Sequence, residues 1–130
     1  MTAGAVGSLI IYRHYLKLPW KTDPAVQRGL KWMEEHFTVK EVPNDTQYGD
    51  NRHLFYYLYS IERLGIFAET PVFGAHDWYR EGANELLGVQ TADGSWPERK
   101  YAVSDTCFAI LFLNRATIPL VPVASMDNKR

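Results

Sequence analysis

The sequence predicts an all-α domain of about five helices that alternate between walled-in and water-facing. Three observations predict it. Long apolar runs recur along the chain without strict alternation, which favours helix over strand. The stretches between them carry apolar residues at helical spacing and charges on the opposite side. Helix-starting residues, Asp23-Pro24 and His76-Asp77, stand where those amphipathic stretches begin.

The first helix is expected over residues 2–16. Ala5, Val6, Leu9, Ile10, Ile11, Tyr12, Tyr15 and Leu16 cover most of its circumference, so it reads as buried. The second, over 24–37, starts with Asp23 as N-cap and Pro24 as first residue. Val26, Leu30, Met33 and Phe37 form its apolar side against Gln27, Arg28, Lys31, Glu34 and Glu35. A polar loop follows from Val39 to about Asn51, with turn residues at Pro43-Asn44-Asp45 and Gly49-Asp50. The third helix, 52–64, is apolar nearly all round through Leu54, Phe55, Tyr56, Tyr57, Leu58, Tyr59 and Ile61, and Gly65 is expected to end it. The fourth, 77–90, sets Tyr79, Ala83, Leu86 and Leu87 against Arg80, Glu81, Asn84 and Glu85. The fifth, 105–115, is again apolar all round from Cys107 to Leu113. A single-layer bundle would need a similar stripe on every helix. Two populations of helix imply two layers.

Composition sets outer bounds. The chain has 130 residues, one domain's worth, with 46% apolar and 22% charged residues, ordinary for a globular protein. A net charge of −1 gives no electrostatic case for nucleic acid or an anionic membrane surface. No apolar run reaches the roughly 20 residues of a membrane span. The apolar start, residues 1–11, lacks the basic region of a signal peptide and reads as a helix of the domain. The single cysteine, Cys107, excludes an internal disulfide framework.

The chain also resembles itself. Residues 54–63 (LFYYLYSIER) line up with residues 106–115 (TCFAILFLNR), and amphipathic helices containing Gly29-Leu30 and Gly82-Ala83 lie upstream of each. The spacing of roughly 50 residues suits a helical-hairpin repeat. Within it, Gln90-Thr91-Ala92-Asp93-Gly94-Ser95-Trp96 follows a helix bearing Gly82, Leu86 and Leu87. A tight turn at Asp93-Gly94 lets Trp96 fold back over the helix end, where carbonyls lack partners and an indole N–H can serve one. This stretch resembles the QW motif of squalene and oxidosqualene cyclases. With its flanking apolar helices, the region 1–118 resembles the terpenoid cyclase and protein prenyltransferase superfamily, in particular proteins carrying prenyltransferase or squalene-oxidase repeats. The resemblance implies an α/α-toroid of alternating inner and outer helices. It makes Gln90, Gly94 and Trp96 structural residues. Five helices are too few to close such a ring, so residues 1–118 read as a partial toroid, with 119–130 an extended or disordered tail broken by Pro119 and Pro122. Open ends of a repeat array expose apolar faces. Self-association, or contact with further repeats of the same protein, is therefore expected.

No complete catalytic constellation stands in the sequence. The DxDD acid motif of hopene-type cyclases and the DDxxD of metal-bound diphosphate are both missing. Asp105-Thr106-Cys107 resembles the D-x-C that supplies two zinc ligands in protein prenyltransferases, and His53 falls opposite Asp105 in the repeat. The structural alternative is that Asp105 or Ser104 caps a helix and Cys107 is a small buried residue. No cofactor is implied. Glu62-Arg63 and Arg115 read as a charge arrangement at helix ends. Tyr56, Tyr57 and Tyr59 fit a core. The resemblance also makes Tyr56, Tyr59 and Phe108, with Asp105, candidate ligand contacts, since inner-helix aromatics of cyclases line cavities. The expected function is a repeat module without its own catalytic site, serving a structural role or binding an apolar small molecule or peptide. The alternative is a fragment of an enzyme acting on isoprenoid or related lipids, of cyclase or zinc prenyltransferase type.

Overall fold

The computed structural model describes residues 1–45, 51–96 and 102–120. Its helices are α1 (Thr2–Tyr15), α2 (Pro24–His36), α3 (Leu54–Phe67), α4 (Trp78–Gly88) and α5 (Ala102–Leu113). A two-stranded antiparallel hairpin, β1 (Val72–Phe73) and β2 (His76–Asp77), links α3 to α4. Gly49-Asp50 of the expected turn and residues 121–130 of the expected tail lie outside the described residues.

Local chemistry starts both amphipathic helices where the sequence sets them. The Asp23 carboxylate accepts from the N–H groups of Ala25 (2.8 Å) and Val26 (3.0 Å), satisfying donors that no helical carbonyl can reach. The same carboxylate pairs with Arg13 of α1 and so ties the two helices together. The Val26 N–H, then Ala25 and Arg13, hold its pKa below the ordinary carboxylate range against the opposing effect of burial. At α4, Asp77 accepts from Arg80 N at 2.9 Å.

The helices pack in two layers. α3 lies between α1 and α5, α2 lies against α1, and α4 lies against α3 and α5. α2 and α4 keep a wet side: only Val26 and Met33 of one, and Trp78, Gly82 and Leu86 of the other, are buried. α3 is the centre of the core. Leu58, Ile61 and Leu64 are each 1% exposed or less, and burial of such side chains is worth about 1.5–3 kcal/mol each.

Glycines set how closely the layers approach. Gly29 of α2 receives the Val6 side chain of α1, and Gly82 of α4 receives the Phe112 ring of α5. In both places a Cβ would overlap the neighbour. The two contacts differ in partner: Gly29 meets the inner helix that precedes it and Gly82 the inner helix that follows it.

Four expectations need correction. α3 alone is enclosed on nearly every side. α1 leaves Tyr12, Tyr15 and Leu16 exposed, and α5 leaves Val103, Cys107 and Ile110 exposed, because each has α3 on only one flank. Gly65 does not end α3, which runs on to Phe67. Its missing side chain instead admits the Trp78 indole, whose N–H donates to Thr70 O at 2.8 Å. The fifth helix starts at Ala102, so Asp105 stands within its first turn rather than before it. Cys107 is exposed, not a buried apolar residue.

Candidate functional site

A groove of about 970 Å³ opens between the N-terminal half of α1, one side of α3 and the loop at 42–45. Its formation follows from residue size and helical period. Gly4 and Gly7 keep α1 slim where it meets α3, with the Gly4 backbone close to Ser60 and the Gly7 backbone close to Leu64 and Phe67. On α3, Tyr56, Tyr59 and Arg63 recur at three- and four-residue spacing and therefore share one face. All three line the groove, together with Ser8 and Ser60.

The aromatic cluster spans two helices, with Tyr56 and Tyr59 on the groove and Phe108 outside its lining. The Phe108 ring of α5 stands 5.5 Å from Tyr56, edge to face, and 5.4 Å from Tyr59, stacked. Arg63 Nη1 donates to Tyr59 Oη at 3.2 Å, and its guanidinium lies 5.7 Å from the Tyr59 ring and 5.4 Å from the Phe67 ring. This places a cation on aromatic faces. Arg63 forms no ion pair among the described residues. Ser60 is partly spent, since its hydroxyl donates to Tyr56 O at 2.9 Å. The Tyr57 phenol, also on the groove wall, is pushed up to about 12 by burial, with the Thr38 backbone acting in the opposite sense. It stays neutral throughout the physiological range.

No family model, no curated protein and no solved structure matches the chain.

Of the candidate ligand contacts, the structure brings Tyr56, Tyr59 and Phe108 together. Asp105 is buried on α5 and does not line the groove. The zinc candidates do not form a group. His53 is on the groove wall, Asp105 is buried and Cys107 is exposed on another side of α5. Among the described residues, no three His, Cys, Asp or Glu side chains are placed to hold a metal ion.

The Gln90–Trp96 segment acts at a helix end. Trp96 is buried, and its indole N–H donates to Leu86 O of α4 at 2.8 Å. Gln90 Nε2 donates to Gly94 O at 2.8 Å, so its amide spans the turn instead of reaching a helix carbonyl. Gly94 has φ +85°, a conformation that favours glycine. Asp93 accepts from Thr91 Oγ1 (2.6 Å), Ser95 Oγ (2.7 Å) and Ser95 N (3.0 Å). Those bonds, Thr91 first, hold its carboxyl down to about 2.

Two features were not read from the sequence. Arg63, four residues after Tyr59 and seven after Tyr56, shares their stripe and lies on the Tyr59 ring, beyond the helix-end charge role its sequence neighbours suggest. Glu62, fully buried, accepts from Thr117 Oγ1 (2.6 Å) and Thr117 N (3.2 Å) and so anchors the chain just beyond α5. Burial pushes its pKa up against those hydrogen bonds and the nearby Arg63 and Arg115 charges. A contact across 55 residues leaves no local signal.

Proposed function

We propose that the chain is a repeat module of the terpenoid-cyclase and prenyltransferase-like kind that binds an apolar chain in the groove between α1 and α3. The observation that carries this is the groove itself, about 970 Å³, with a tyrosine wall, a mostly apolar surface and polar side chains from Ser8, Asn44, Asp45, His53, Ser60 and Arg63. Ligand sites are commonly of that size and character, mostly apolar with a small number of polar fixed points. Here Tyr56, Tyr57 and Tyr59 supply the wall, Phe108 supports Tyr56 and Tyr59, and Ser8 and Arg63 supply polar contact. Gly4 and Gly7 leave room that larger residues would fill. The kinship rests on the Gln90–Trp96 turn and the two-layer alternation.

The test is a titration of the isotope-labelled protein with dodecanol, followed by amide chemical shifts. The expected shifts cluster at Gly4, Ser8, Tyr56, Tyr59 and Arg63. Tyr59→Ala should weaken binding by about tenfold, the loss of one aromatic contact surface. Shifts spread over the whole surface, or an unchanged affinity in Tyr59→Ala, would contradict the reading.

A further inference from the structure

The groove between α1 and α3 has two unlike ends. The two helices run in the same direction, because Gly4 meets Ser60 and Gly7 meets Leu64 and Phe67. Ser8 and Arg63 therefore stand at one end of the groove. The loop at 42–45 stands at the other. It is held by the Asn51 side chain just ahead of α3, which accepts from Val42 N at 3.2 Å and donates to Lys40 O at 3.0 Å. From His53 to Arg63 the helix rises about 15 Å, the length of an extended chain of about twelve carbons.

The charges divide in the same way. Among the described residues, Arg63 is the one Lys or Arg side chain on the groove, and Asp45, at the loop end, is the one carboxylate. The Arg63 guanidinium is held in place without being neutralised. The Tyr59 and Phe67 rings lie 5.7 and 5.4 Å from it, and one N–H donates to Tyr59 Oη. No carboxylate stands within ion-pair distance of it among the described residues. Glu62, its neighbour in sequence, spends both oxygens on Thr117 beyond α5. A planar guanidinium fixed on aromatic faces, with N–H groups to spare, is a seat for the two oxygens of a carboxylate.

We propose that the groove takes a fatty acid, its carboxylate paired with Arg63 beside Ser8 and its tail laid along Tyr59 and Tyr56 toward Val42 and Pro43. This rests on the groove being a site for an apolar chain, and adds the headgroup, its charge and the direction of the chain. Asp45 repels a carboxylate from the loop end, which sets the direction. One cation balances one negative charge, so a monocarboxylate fits where a phosphate or diphosphate ester would bring charge without a partner.

Calorimetric titration of the full chain with dodecanoate, dodecanol and dodecyl phosphate, each below its micelle concentration, tests this. Dodecanoate should bind about tenfold tighter than dodecanol, the scale of one charge-assisted hydrogen-bonded pair at a half-open site. It should also bind tighter than dodecyl phosphate. The Arg63 Nε–H resonance should move with dodecanoate far more than with dodecanol. Arg63→Met, which keeps an apolar stem beside the Tyr59 and Phe67 rings, should remove the preference for dodecanoate. Arg63→Lys, which keeps the charge and loses the fork, should retain part of it. Equal affinity for dodecanoate and dodecanol, a preference that survives Arg63→Met, or tighter binding of dodecyl phosphate would overturn the headgroup assignment and leave the groove standing as an apolar site. Binding of none of the three would overturn the groove reading and this inference with it.

Discussion

Alanine at Gly82 tests the contact between α4 and α5, and its sign is opposite to the one helix propensity gives. In an open helix, Gly→Ala gains about 1 kcal/mol. At Gly82 the new Cβ would fall against the Phe112 ring, with Cε1 and Cε2 only 2.9 and 3.1 Å away. Phe112 has nowhere to retreat. It is completely buried, stacked on Tyr79 at 5.7 Å and edge-on to Trp78 at 6.1 Å. Forcing a methyl group into such a place costs about 1–3 kcal/mol or more. The net expectation for Gly82→Ala is a loss of up to about 2 kcal/mol, the propensity gain offsetting part of the overlap. Gly88→Ala is the internal control, because nothing lies within 4 Å of the added Cβ. It should stabilise by up to about 1 kcal/mol. Thermal unfolding followed by circular dichroism would read the difference, at roughly 4 °C per kcal/mol for a domain of this size. If both variants raise the midpoint equally, α4 and α5 do not meet at Gly82 and the layer packing is wrong.

Trp96→Phe removes the indole donor from Leu86 O while keeping most of the apolar volume, and should cost about 1–3 kcal/mol in urea unfolding, the range for a buried group left without its partner. Glu62→Gln should raise stability at neutral pH and make no difference in acid. The sign follows from burial: an acid whose folded-state pKa is raised carries no penalty below its unfolded value near 4.5 and an increasing one as pH climbs through the folded value. Melts of both proteins across that range would show parallel curves if the carboxylate is not buried. Asp93→Asn should have the reverse profile, with a loss present at neutral pH that fades as pH falls from 3.8 toward about 2. A loss that persists unchanged in acid would show that the carboxylate charge is not what Thr91 and Ser95 hold.

Much of the architecture could be read before any coordinates. Asp23-Pro24 and Asp77 mark helix starts through chemistry that acts within three residues. The wet sides of α2 and α4 follow from period alone. The Trp96 indole reaching a helix-end carbonyl is likewise a short-range consequence of a turn at Gly94. Other features could not be read in the same way. An apolar circumference says that a helix can be enclosed, not that neighbours are present on each side; hence Tyr12, Tyr15, Val103 and Ile110 are exposed. A glycine serves equally as a helix stop and as a seat for a ring, and at Gly65 the Trp78 indole decides in favour of the second. The two-residue strands at Val72–Phe73 and His76–Asp77 are too short to leave a period. Of the groove, the Tyr56 and Tyr59 side was legible, while the Gly4/Gly7 side depends on which helix α1 meets.

The central claim is that α3 is the enclosed member of an α1–α3–α5 row with α2 and α4 outside it. Native-state hydrogen exchange measured amide by amide addresses it most directly. The account predicts the slowest exchange at Leu58, Ile61 and Leu64, opening only with global unfolding, and faster exchange on the outer helices α2 and α4. Amides of α3 exchanging as readily as those of α2 or α4 would contradict it.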